Sequence, residues 1–117
     1  MCVRGLGDAF SRAWAPVEIP GRCAGHTLTL THDPFGLLHE GVLESIGLAG
    51  HTHCGEIRLP LIGAPWAPTK APVDMQCGLF ERGYPGLTSG GLGTSIAPLR
   101  FGPGTAPRWE LLTLSSS

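Results

Sequence analysis

Short apolar runs, each closed by turn residues, carry most of the structural signal in this chain of 117 residues. Residues 26–31 read as a buried strand, because alternating Leu and Thr suit a pleated, half-covered surface. His32-Asp33-Pro34 ends it, with Asp33 suited to an N-cap and Pro34 to the first helical position. The spacing of Phe35, Leu38, Val42 and Leu43 predicts a helix over 35–45 with those residues facing inward. Ile46-Gly47-Leu48-Ala49 then reads as a second strand, too continuously apolar to face water. Strand, helix and strand in so short a stretch predict a βαβ unit with parallel strands.

Beyond residue 55 the pattern loosens. Glu56-Ile57-Arg58-Leu59 alternates like a half-exposed strand, and residues 60–71 form a proline-rich loop around Trp66. Residues 78–82, 86–89 and 109–114 read as further strands, expected to be antiparallel. Gly90-Gly91-Leu92-Gly93-Thr94 lacks the lysine and spacing of a phosphate loop and reads as a turn. Residues 1–22 read as irregular, apart from a short helix over 8–14 and a turn at Pro20-Gly21. Residues 115–117 read as a disordered tail. The expected fold class is α/β, a mixed β-sheet with one βαβ unit followed by antiparallel strands, in one domain over 1–117.

Composition narrows the partners. The net charge is −1 and no basic stripe appears, which argues against nucleic acid. Charged residues make up 15%, against roughly a quarter in typical soluble domains, so the surface expects cover. No basic start leads into an apolar stretch, and nothing approaches the ~18 apolar residues of a membrane span. Cys2, Cys23, Cys54 and Cys77 are scattered with no C-x-x-C pair, which predicts free thiols and a cytoplasmic location.

The candidate chemistry lies in Gly50-His51-Thr52-His53-Cys54-Gly55. Two histidines sit between glycines directly after an apolar run, and imidazole is the commonest metal ligand. His32 follows another such run. Open α/β sheets place ligands beyond the carboxyl ends of their strands, so His32, His51 and His53 are expected to converge on a divalent metal such as Mn, Fe, Zn, Co or Ni. Cys54 and Glu56 stand close enough in sequence to join them. His26 and His39 read as ordinary surface residues, Arg58 and Arg100 as solvated strand residues, and Trp14 and Trp109 as packing. Trp66 stands apart because its loop can overhang the site.

His32-Asp33-Pro34, the run from Gly50 through Pro60, Gly91-Leu92-Gly93-Thr94-Ser95 and Pro98-Leu99-Arg100-Phe101-Gly102 together resemble, in order, the calcineurin-like metallophosphoesterases. The likeness is to the bacterial phosphodiesterase-like branch and covers residues 5–114. It implies a sandwich of two mixed sheets around two divalent metals, bridged by a carboxylate and a hydroxide that attacks phosphorus. By position, His32 and His51 resemble ligands of one metal and His53 a ligand of the other. The family's Asp-x-His, Gly-Asp and Gly-Asn-His segments have no counterpart here, so the chain resembles the C-terminal half only, a partial metallophosphoesterase sandwich. Cys54-Gly55-Glu56 replaces the family's usual Gly-Gly-Gln, and Gly90 stands where an Arg or Asn usually does.

Physics limits what such a half can do. Two divalent ions ~3.5–4 Å apart repel by roughly 19 kcal/mol at an effective dielectric of 20, before hydration. Three neutral imidazoles offset none of this. At most one metal is therefore expected, with no catalytic residue assigned within the chain and negligible hydrolysis of phosphate-ester substrate. An apolar face left by the absent half predicts self-association or a complementing N-terminal chain. The competing readings are a non-catalytic truncated product or complementing subunit, and a small mononuclear cupin-like metal protein suggested loosely by His51-x-His53-x-x-Glu56.

Overall fold

The structure is a computed structural model and describes residues 1–7, 25–38, 45–94 and 98–115. Among these residues, five short strands build one mixed sheet: β1 (Cys2–Gly5), β2 (Thr27–Leu30), β3 (Ser45–Ala49), β4 (Gly78–Glu81) and β5 (Pro85–Thr88). Their order across the sheet is β1-β2-β3-β5-β4. The pairings β1/β2, β2/β3 and β3/β5 are parallel, and β4/β5 is antiparallel. The βαβ expectation therefore holds in its strand direction. Strand β5 departs from the antiparallel expectation, because it joins β3 in parallel and turns antiparallel only toward β4.

One sheet face is closed by apolar packing. Leu37, Ala49, Ala71, Met75, Phe80 and Tyr84 form its core. Gly86 makes room for Phe80: a Cβ there would come within 2.1 Å of the ring, which lies directly on the backbone of the neighbouring strand. Tyr84 donates its hydroxyl to the Leu37 carbonyl, and burial pushes its phenol above the ordinary value. The same face carries a polar chain across three strands. Arg4 donates to the Thr29 hydroxyl at 3.0 Å, and Thr29 donates to Ser45 at 2.9 Å. That chain lets a fully buried Thr29 sit in the sheet without an unmet hydrogen bond.

The opposite face carries Val3, Leu28, Leu30, Ile46, Leu48, Leu79 and Leu87 by register. Val3 and Leu79 are 60% and 80% exposed, so among the described residues that face is only partly covered. Residues 109–114 are not the strand expected. They run without ladder pairing, and Trp109 and Leu112 close a cavity over Leu48 and Leu87 at one end of this face.

The segment after β2 differs from the helix expected over 35–45. It is a 3₁₀ helix, Pro34–Leu38, and residues 39–44 with Val42 and Leu43 lie outside the described residues. A three-residue turn puts Pro34 and Leu37 on one face, so these are buried while Phe35 and Leu38 stay 36% and 41% exposed. Asp33 caps it as expected, accepting from the Phe35 amide at 2.9 Å.

Two further expectations fail locally. Cys2–Gly5, read as irregular, is an edge strand. Residues 56–59 form only isolated bridges, Ile57 to Phe101 and Leu59 to Gly63. Leu59 and Gly63 exchange both backbone hydrogen bonds at 2.9 Å, closing a tight turn over Pro60 and the left-handed Leu61. The helix expected over 8–14 and the turn at Pro20-Gly21 lie outside the described residues. No helix among the described residues is long and apolar enough to cross a membrane.

Candidate functional site

Parallel pairing brings the carboxyl ends of β1, β2, β3 and β5 to one edge of the sheet. Backbone bonding continues past those ends. Thr31 donates to Leu48 at 3.0 Å, Gly50 to His32 at 3.0 Å and Ser89 to Ala49 at 2.9 Å. The bond from Gly50 to His32 fixes the two histidine-bearing segments side by side. The His32 and His51 rings meet with centroids 4.5 Å apart, tilted by 57°.

His51 is oriented by a second contact. Its Nε2 lies 2.8 Å from the Pro68 carbonyl, which accepts when that nitrogen carries the proton. In the neutral ring this leaves Nδ1 as the lone-pair nitrogen, and a ring held by a backbone carbonyl is the usual support of a ligating histidine. Asp33 is occupied structurally, since its carboxylate also accepts from the Thr69 hydroxyl.

His53 does not join this pair. Its Nδ1 lies 3.8 Å from Glu56 Oε1, 3.2 Å from the Gly93 carbonyl and 3.3 Å from Arg100 Nη2. Residues two apart share a face only in extended backbone. Here His51, His53 and Cys54 have φ of 68°, 49° and 58°, followed by Gly55 at 71°. Left-handed backbone costs a non-glycine residue about 1–2 kcal/mol, so this loop is held in shape by its surroundings. Of the two glycines that flank the histidines, Gly55 takes that conformation and Gly50 does not.

Cys54 forms a disulfide with Cys77, and Cys2 is also disulfide-bonded. The expectation of free thiols is therefore overturned, and the cytoplasmic inference loses that premise. Sequence spacing alone does not determine cysteine pairing; the fold of residues 55–76 brings these two together. Cys54 consequently offers no thiolate to a metal. Among the described residues, no three His, Cys, Asp or Glu side chains are grouped closely enough to hold a cation. Of the expected ligands the structure brings together two imidazoles, His32 and His51.

Arg100 is the residue that sequence reading missed. Its guanidinium donates to the carbonyls of His53 at 3.2 Å, Thr105 at 2.9 Å, Gly90 at 2.8 Å and Gly91 at 3.2 Å, and also to Gly93. It thereby ties the histidine loop to the glycine loop after β5. The clue was present: three glycines in four residues present carbonyls with no side chains to shield them, and a forked cation gathers such groups well. Arg108 plays a related part, placing Nη2 2.8 Å and 2.7 Å from the two bridge sulfurs while its Nε pairs with Glu110 at 3.1 Å. Beside His51 opens a cavity of about 440 Å³, lined by His51, Trp66, Ala67, Pro68, Thr69 and Lys70.

Compared with protein-family models, curated proteins and solved structures, the chain matches none of them.

Proposed function

We propose that this chain is the histidine-bearing half of a metal-dependent phosphoesterase of the calcineurin-like kind, with a sandwich completed by a second sheet beyond the one the described residues form. The observation that carries the reading is the meeting of His32 and His51 at the carboxyl edge of adjacent parallel strands. These two residues are the ligands of one divalent cation, Mn, Fe, Zn, Co or Ni. His53, with Glu56 3.8 Å from its Nδ1, would hold a second cation once ligands from outside the chain joined it. Bound cations supply Lewis acidity toward the phosphoryl oxygens and a nucleophile at neutral pH.

The chain's own residues do the positioning. Pro68 sets the His51 tautomer, the Gly50 amide holds the His32 backbone, and Arg100 fixes the loop that carries His53. The partly uncovered apolar face supports a complementing subunit or a self-associating chain over a small barrel, and the parallel strands run against a cupin-like jelly roll. With Mn²⁺, the isolated chain is expected to hydrolyse bis(4-nitrophenyl) phosphate no faster than background. Turnover that His51→Ala abolishes would mean a complete centre within the chain and overturn the half-site reading.

A further inference from the structure

We propose that the wall formed by Trp66 and Lys70 beside His51 is the subsite for the organic part of the substrate, and that it takes a phosphate ester bearing a flat aromatic or heteroaromatic ring. The phosphoester comes from the reading of His32 and His51 given above; the ring preference comes from the wall itself.

Trp66 is 64% exposed, although an indole gains most from being buried. It lines an open, shallow depression of about 440 Å³ together with His51 and Lys70. The loop carrying it is fixed to the candidate site at several points. Pro68 accepts from His51, and Thr69 donates to Asp33, the residue next to His32. Thr69 also accepts from the Ala71 amide at 3.0 Å, and the Ala71 carbonyl accepts from Gln76 at 2.8 Å. The indole is therefore presented beside His51 by a braced segment, as a stacking surface requires.

Lys70 completes the chemistry. It is exposed in the same wall and has no carboxylate partner among the described residues. An ammonium beside an aromatic face suits a ligand with a charged phosphate at one end and a π-surface at the other. A plain inorganic anion uses only the first of these features.

The test is calorimetric titration of the chain with phenyl phosphate and with inorganic phosphate, in EDTA so that no cation contributes. Phenyl phosphate is expected to bind at least about tenfold more tightly. Trp66→Ala should abolish that margin without changing inorganic phosphate, Trp66→Phe should keep most of it, and Lys70→Gln should weaken both ligands about threefold or more. Both side chains are exposed, and a far-ultraviolet circular dichroism spectrum confirms that each variant stays folded. Equal affinities for the two ligands, no detectable binding of phenyl phosphate, or an unchanged margin in Trp66→Ala would overturn the subsite. The outcome separates from the metal reading. A ring preference in EDTA without Mn²⁺ binding leaves the subsite standing and removes the metal, whereas Mn²⁺ binding without ring preference does the reverse.

Discussion

Removing the Cys54–Cys77 bridge, as Cys54→Ala/Cys77→Ala, is expected to cost about 3 kcal/mol of stability. The bridge closes a loop across 23 positions of sequence, and loop-closure entropy alone gives that magnitude. The loss is a large share of the ~5–15 kcal/mol that holds an ordinary domain. It falls where strain is already stored, since His51, His53 and Cys54 all have left-handed backbone. Without the tether to Cys77 these residues can relax toward ordinary conformations, and His51 then leaves His32. Urea unfolding of the double alanine variant against the parent measures the first effect, and imidazole NMR shifts report the second. A melt unaffected by reductant, with four free thiols titrated in denaturant, would contradict the bridge itself.

Arg100→Met is expected to cost about 2–3 kcal/mol, because one fork of charge-assisted hydrogen bonds holds carbonyls from three separate stretches of chain. Methionine fills similar volume and donates nothing, so the carbonyls of His53, Gly90 and Thr105 lose a shared partner. Arg100→Lys should recover only a small part. Its ammonium lacks the planar spread of five donors that reaches all of them at once. Denaturant melts of the two variants decide this. A methionine variant within about 0.5 kcal/mol of the parent, the range of an ordinary surface change, would return Arg100 to a solvated strand residue.

The sequence was most legible where local chemistry and tertiary packing agree. Strands β2 and β3 stand where their apolar runs place them, but β2 is not the buried strand expected: only Thr29 is buried in it, and Leu30 is 39% exposed. Asp33 caps as its place before Pro34 suggests. The pairing of His32 with His51 was readable because parallel strands must deliver their ends to one edge. The placement of His53 was not, since it depends on backbone dihedrals that residue types alone do not announce. Helical period misled at Phe35 and Leu38: a 3₁₀ turn moves the inward position to Leu37. Strand β1 is only four residues long and is recognised through its pairing with β2, a long-range contact. The disulfide and the Arg100 clamp are of the same kind, as each joins segments that sequence distance keeps apart.

The proposed sharing of one divalent cation by His32 and His51 is tested directly by titration of the chain with Co²⁺, followed by its visible absorption and by calorimetry. One equivalent should bind, with affinity falling at least about tenfold in either His32→Ala or His51→Ala and changing little in His53→Ala. Binding that ignores both substitutions, or that depends on His53 alone, would contradict the account.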